Sequence, residues 1–397
     1  MKILITTDLF RPSVNGVVTS VVNLTKGLEA KGHEVRILTL SPDHHSFTKD
    51  NVCYIGSVDT GRIYPGTHFR IHCPKKFIKD LIAWHPDVVH SQCELSTFSI
   101  ARRIANACRS PLIHTYHTVY EDYTHYFCPV RYLGKHLVSV FSRHILDQTD
   151  AVIAPSQKVA GLLAQYGVHT SVSVIPTGID LGRFSSDGPD RAGNKDSDLL
   201  PGMAFRNTET LKLIFVGRLA KEKNIPELLD LIAFCRDLPI GLIIVGDGPE
   251  RASLIKHCEQ LKITNSVIFT GMVSPENVGR YYSLGDVFVN SSNSETQGLT
   301  YIEALASGLP LLCKKDTCLD GVIKDGQNGW QYESPADFRT HLSELLDDKT
   351  LKDRLNKAAV ASSRRFSTEC FADDAEKLYL KCLSEYGSYG ILSLKQA

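Results

Sequence analysis

KILITTDLFRPSVNGVVTSVVNLTKGLEAKGHEVRILTL, residues 2–40, decides the fold. KILITT (2–7) is an apolar run suited to a strand buried on both faces of a parallel sheet. Residues 17–31 then repeat at helical spacing, with Val18, Val21, Val22 and Leu28 on one side and Gly32 as a left-handed cap. EVRILTL (34–40) is a second buried strand. Strand, helix and strand in that order make a parallel βαβ unit.

The alternation runs on through DVVH (87–90), PLIHT (111–115) and AVIA (151–154). It restarts after residues 173–175 and the turn PTGID (176–180), which reads as a hinge. LKLIF (211–215) is a fresh buried strand, and 242–245, 267–270, 287–289 and 309–313 follow it. The fold class is therefore α/β, with two Rossmann-like doubly wound parallel sheets facing across a cleft. The expected domains are 1–178 and 179–367, with 368–397 packing back on the first through Phe371, Ala375, Leu378 and Tyr379. Residues 185–209 are polar, rich in Gly and Pro, and read as a linker with no assigned role. Ligands of such sheets sit beyond the carboxyl ends of the strands.

Composition agrees with two globular domains. The chain has 397 residues, 43% hydrophobic and 22% charged, which excludes disorder over most of its length. No apolar run approaches the ~18–20 residues of a bilayer span. The start, MKILITTDLF, lacks the features of a signal peptide. The 11 cysteines are odd in number and contain no C-x-x-C pair, which fits reduced thiols in a cytosolic protein. Lys+Arg and Asp+Glu both total 44, but residues 1–170 hold 18 basic and 13 acidic side chains and 13 of the 15 histidines. That imbalance points to one face meeting a membrane surface, a nucleic acid or an acidic ligand.

Four motifs lie near predicted strand ends. In SETQGLTYIEALASGLP (294–310), Glu295 and Glu303 are spaced to share a helix side, and Gly298, Leu299 and Thr300 open the helix. Free amides there favour a phosphate. Glu303 suits the two hydroxyls of a ribose and Glu295 those of a transferred sugar, although a capped surface helix with two solvated glutamates has the same letters. FVGRLAKEKNI (215–225) places Arg218 and Lys223 at a strand end, where cations suit a diphosphate, with Lys221 competing for the role. RPSVNGVV (11–18) carries Gly16 where backbone can approach a ligand closely.

HTYHTVYEDYTHYF (114–127) is dense in His and Tyr. His117 fits as a polar group beside a reacting sugar, and the aromatic residues after it, Tyr126 among them, either line an apolar acceptor channel or pack in the core. His114, His117 and His125 lack the carboxylate or thiolate set that would complete a metal site. GDGPER (246–251) lacks the third glycine of a dinucleotide fingerprint, so a nicotinamide enzyme is rejected. Asp196-Ser197-Asp198 matches D-x-D in letters only and is not read as a metal site. Residues 131–146 have helical spacing, with Leu133, Leu137, Val140 and Phe141 on one side and Arg131, Lys135, His136 and Arg143 over the rest. The segment fits a helix in a lipid interface and fits equally a helix packed on the sheet.

Together the NGVV loop, PTGID, VGRLAKEKN, GDGPE and the paired glutamates resemble glycosyltransferase family 4, retaining enzymes of GT-B architecture. The resemblance covers nearly the whole chain. Residues 7–35 and 114–127 look like bacterial diacylglycerol glucosyltransferases, which move glucose from UDP-glucose to diacylglycerol. The resemblance implies that Arg218 and Lys223 hold the donor diphosphate, Glu303 the ribose and Glu295 the donor sugar. It also implies that Gly298, Leu299 and Thr300 offer amides, Gly16 lies beside the diphosphate, Met272 and Val273 beside the nucleobase, and His117 near the reacting face. Tyr126, Arg131, Lys135 and Arg143 are expected on the acceptor and membrane side. The implied partners are a UDP-sugar, a diacylglycerol-type lipid and an anionic membrane surface, with no nucleic acid, no cofactor and no essential metal. The implied place is the cytoplasm, peripheral to the inner face of the cell membrane. Galactose as the sugar, a monoglycosyl-diacylglycerol or soluble acceptor, a sugar-nucleotide 2-epimerase and a non-catalytic nucleotide-binding module remain as alternatives.

Overall fold

Burial selects the central strand of each sheet. Strand β1 (Lys2–Thr7) has five of its six residues sealed from solvent, which only a position between two other strands and under helices allows. The structure is a computed structural model, and it describes residues 1–13, 15–59, 68–70, 74–121, 131–184, 210–292 and 294–394.

The chain divides into two compact units, Met1–Gly178 with Thr368–Ala397, and Ile179–Ser367. In the first, β1 pairs in parallel with β2 (Glu34–Leu40) and with the later strand at Val88–Ser91. The strands in chain order are β3 (Phe47–Lys49), β4 (Val52–Ile55), β5 (Ser57–Asp59), β6 (His68–Arg70), β7 (Val88–Ser91), β8 (Leu112–Thr115), β9 (Ala151–Ala154) and β10 (Val172–Val174). Eight of the ten form one sheet in the order β10-β9-β8-β7-β1-β2-β4-β3, parallel except for the β3–β4 hairpin. Its helices are α1 (Gly16–Ala30), α2 (Lys75–Trp84), α3 (Phe98–Cys108), α4 (Arg131–Leu146) and α5 (Gln157–Gln165). Strands β3 to β6, three or four residues long, were not anticipated from the sequence.

The second unit repeats the design with β11 (Leu211–Val216), β12 (Ile240–Val245), β13 (Val267–Gly271), β14 (Val287–Asn290), β15 (Leu311–Lys314) and β16 (Gly329–Tyr332). The order is β13-β12-β11-β14-β15-β16, all parallel. Its helices are α6 (Ile225–Phe234), α7 (Arg251–Leu261), α8 (Val278–Tyr282), α9 (Leu299–Ala306), α10 (Pro335–Asp347) and α11 (Lys349–Ser363). The order turns back on itself at β11, so the loops after β11 and β14 leave neighbouring strands in opposite directions. That is where a doubly wound sheet opens a crevice.

The last helix, α12 (Thr368–Leu394), belongs to the first unit. Phe371, Ala375, Leu378 and Tyr379 join a core with Ile3, Ile5, Val88 and Ile113. Two buried hydrogen bonds extend the join: His90 on β7 meets Tyr379 Oη through Nδ1 and Thr115 Oγ1 through Nε2, each at 2.7 Å. Lys31, after α1, pairs with Asp373 and Glu376 of α12. At Gly178 the chain is tied to α1, whose Asn23 Nδ2 donates to the Gly178 carbonyl at 2.8 Å.

Tyr379→Phe leaves His90 Nδ1 buried without a partner and should cost about 1–3 kcal/mol, read as a lowered midpoint in denaturant or thermal unfolding. Burial first, then His114 and His117, hold His90 well below its ordinary value. The unfolded chain takes up that proton near pH 6.5 while the native chain does not, so stability should fall as pH drops below about 6.5. A flat stability profile between pH 7 and 5 would contradict a neutral His90.

Candidate active site

In the second unit the site begins with two glycine turns that interlock. Gly246 has φ +134°, and a Cβ there would lie 2.0 Å from the Gly217 carbonyl oxygen; at Gly248 it would lie 2.3 Å from that of Leu219. Leu219 N–H donates to Asp247 O and Glu250 N–H to Leu219 O, both at 3.0 Å. The GDGPE segment thus serves as a seat for the turn after β11. That turn presents Arg218, exposed and without a partner among the described residues.

Lys221 is exposed one turn later, whereas Lys223 is turned inward. Its Nζ donates to Glu295 Oε1 at 2.5 Å, the two side chains being 23% and 12% exposed. Burial pushes the Lys223 ammonium's pKa down, but the attraction of Glu295 and its hydrogen bond outweigh this and leave it raised. The sequence assigns these two residues to different parts of a donor; the structure pairs them with each other. The reason lies in the backbone. Ser291 Oγ donates to Asn224 O at 2.8 Å, and Ser292 and Ser294 hydroxyls donate to Glu222 O at 3.1 and 3.2 Å. These bonds stitch the turn after β11 to the segment after β14.

Helix α9 starts at Gly298, whose φ of +71° and the 2.3 Å gap between a Cβ and the Tyr301 ring demand glycine. Leu299 and Thr300 supply first-turn amides that have no intrahelical acceptor. Glu303 does not join Glu295. Tyr282, fully buried, donates from Oη to Glu303 Oε2 at 2.8 Å and to Thr300 O at 3.3 Å. Burial pushes the Glu303 carboxyl up, partly offset by Tyr282 and by Arg183. Arg183 is held by the Pro275 carbonyl at 2.6 Å. Met272, 79% exposed, and Val273, packed on the core, follow β13. Tyr282 and Arg183 escaped the sequence reading because neither lies in a motif.

The first unit has its own polar group at the carboxyl ends of β1, β7 and β8. Gly16 opens α1; Asn15 Oδ1 accepts Val18 N–H at 2.9 Å, which leaves the Gly16 and Val17 amides at the helix end. His117 Nε2 meets Gln92 Oε1 at 2.7 Å, and burial pushes its imidazole down to about 4. His114 turns instead to Glu94, at 3.2 Å, so the two histidines do not converge on a common point as metal ligands would. Tyr120 Oη donates to Glu94 at 2.5 Å. Burial pushes Glu94 up, but the bonds from His114 and Tyr120 prevail and its carboxyl lies below the ordinary range. Burial raises Asp8, which accepts from Ser96 and Thr97. Asp8, Gln92 and Glu94 were missed by the sequence reading; the signal that finds them is polarity within three residues of a buried strand's end.

Helix α4 is two-sided. Gly134, Val138, Ser142 and Leu146 are buried, while Leu133, Leu137, Val140 and Phe141 are 49, 52, 42 and 38% exposed. Arg143 is exposed beside them. The Lys135 ammonium pairs with Glu121 at 2.5 Å, its side chain still 42% exposed. Arg131 opens the helix. Tyr126, His125, residues 185–209 and the Asp196-Ser197-Asp198 triplet lie outside the described residues. Among the described residues no helix is long and apolar enough to cross a membrane.

Comparison with known proteins places these features in a family. The model of Glycosyltransferase Family 4 matches residues 14–183, and that of Glycosyl transferases group 1 matches residues 202–361. An alpha-monoglucosyldiacylglycerol synthase of Acholeplasma laidlawii is 32% identical, over 97% of this chain and 98% of the relative. A protein of the same name from Streptococcus pneumoniae is 33% identical, over 96% of this chain and 86% of its own. Among solved structures, Anabaena HepE in complex with UDP and glucose aligns with TM-score 0.69 at 17% identity, over 95% of this chain and 99% of that one. Sucrose-phosphate synthase from Thermosynechococcus elongatus aligns with TM-score 0.72 at 20% identity, over 97% and 99%. Two parallel α/β units, cations and helix amides at the strand ends of the second, and relatedness along the whole length lead to one conclusion: the chain belongs to glycosyltransferase family 4 and is a glycosyltransferase of GT-B fold.

Proposed function

We propose that the chain moves glucose from UDP-glucose to the hydroxyl of diacylglycerol with retention at the anomeric carbon, making a membrane glycolipid. The observation that carries this reading is end-to-end similarity to two alpha-monoglucosyldiacylglycerol synthases, first unit included. The donor chemistry is supported by Arg218, Lys223, Glu295, Glu303 and the start of α9.

As the bond from the anomeric carbon to the diphosphate breaks, negative charge builds on the departing UDP. Arg218, Lys223 and the amides of Leu299 and Thr300 stabilise it, and no divalent metal is required in this scheme. On donor binding the Lys223–Glu295 pair exchanges partners: the ammonium turns to the diphosphate and the carboxylate to sugar hydroxyls. Glu303 takes the ribose, Met272 and Val273 flank the base, and the Gly16 amide serves the diphosphate. The acceptor oxygen bonds to the anomeric carbon on the face the phosphate leaves, and its proton passes to the departing phosphate oxygen. His117, neutral at working pH because burial holds it near 4, orients a hydroxyl and donates no proton to the leaving group.

The lipid acceptor requires contact with a bilayer. The exposed apolar side of α4, with Arg143 beside it, supplies a face that enters the interface of an anionic membrane on the cytoplasmic side.

Glu295→Gln and Arg218→Ala should each lower kcat on the order of 10²–10³-fold, with the fold intact by circular dichroism. Near-normal turnover in Glu295→Gln refutes its role. Tyr282→Phe should raise the donor KM more than it lowers kcat. The defect should deepen as pH falls, because Glu303, already pushed up by burial, loses the bond that holds it ionised. UDP release measured with UDP-glucose and UDP-galactose, with and without diacylglycerol, and product analysis by mass spectrometry and anomeric NMR, decide donor, acceptor and stereochemistry. The wild-type chain should sediment with anionic vesicles, less so at high salt, and Leu137→Glu with Phe141→Glu should abolish this while leaving UDP binding unchanged.

A further inference from the structure

The polar groups of the first unit form one ledge. Asp8, just past β1, accepts from Ser96 N–H, Thr97 N–H and the Thr97 hydroxyl at 3.1, 2.8 and 2.7 Å. It pins the segment that follows β7. From that segment Glu94 holds His114 and Tyr120, and Gln92 holds His117. Three rings spaced three residues apart are each fixed through a single polar atom.

We propose that Gln92 is a positioning residue for the transfer: its amide oxygen keeps His117 as the Nε2–H tautomer, so the ring meets the substrate through the Nδ1 lone pair, as a hydrogen-bond acceptor. The inference rests on the function proposed above.

A neutral imidazole has one N–H and one lone pair, so the partner of one nitrogen dictates what the other can offer. Burial leaves the His117 ring neutral. Its Nε2 is taken by Gln92 at 2.7 Å. Its Nδ1 has no partner among the described residues, and it is not one of the sealed, unsatisfied atoms, unlike Nδ1 of His114. Of the two rings, only that of His117 has a nitrogen open to a ligand. Gln92 is 2% exposed, and its Nε2 has no partner among the described residues. The competing state exchanges the amide oxygen and nitrogen, which would make His117 an Nδ1–H donor. The chemistry separates the two. A ring that accepts from a sugar hydroxyl raises electron density on that oxygen beside the developing oxocarbenium, while a ring that donates withdraws it.

The test uses the full chain with isotope-labelled histidine and two-bond 15N–1H spectra, the His117 signals being those lost in His117→Ala. The expected result is an Nε2–H tautomer that persists from pH 6 to 8. Gln92→Met, which keeps bulk and removes the acceptor, should release the tautomer. It should also lower kcat roughly 10–100-fold, the usual cost of removing a partner that orients an imidazole, with the KM for UDP-glucose nearly unchanged. Gln92→Glu restores an acceptor and should restore the Nε2–H signal. An Nδ1–H ring in the wild type overturns the proposal, as does a Gln92→Met variant that keeps both tautomer and rate. If Gln92→Met fails to fold, the wild-type spectrum alone decides. A chain that shows the Nε2–H ring yet moves no glucose to diacylglycerol overturns the function proposed above and leaves the tautomer standing.

Discussion

An ammonium and a carboxylate 2.5 Å apart and mostly out of water hold each other, because either one left without a partner would bear its desolvation uncompensated. The Lys223–Glu295 pair is that constraint in the second unit. It closes the gap between the turn after β11 and the segment after β14, two strands that pair side by side. The serine hydroxyls at 291, 292 and 294 hold the two backbones in register around it. In the proposed reaction the ammonium exchanges the carboxylate for a diphosphate of the same sign, and the carboxylate exchanges the ammonium for neutral hydroxyl donors.

The two units use buried carboxylates differently. Glu303 sits in the second turn of α9 against one tyrosine hydroxyl, and burial pushes it up, so an additional donor is favourable to it. Glu94 accepts from two rings, and Asp8 from two amides and a hydroxyl. Those two act as structural anchors whose rigidity passes to the residues they hold, His114, Tyr120 and the segment after β7.

Helix α4 is packed on one side only. Residues four apart, Gly134, Val138, Ser142 and Leu146, make one narrow stripe that meets the core. The apolar residues on the other side are left to solvent. That exposed apolar side is the one the proposed function assigns to the bilayer.

What the sequence determined by itself was the order of strands and helices, because buried parallel strands must be apolar runs and helices must be apolar on one side. The runs at 2–7, 34–40 and 211–215 carry that signal, as do Gly298, where no side chain fits, and Arg218, one residue past a strand-ending glycine. The tertiary structure alone decided which polar groups meet. Lys223 and Glu295 are 72 positions apart and join only because β11 and β14 are neighbours. Asp8, Gln92 and Glu94 belong to no motif and act together because β1 and β7 end at the same level. Lys135 meets Glu121 for the same kind of reason. Local patterns encode burial, which is a property of one segment; a charge or a tautomer is set by its partner, and the partner arrives only when distant strands are laid side by side.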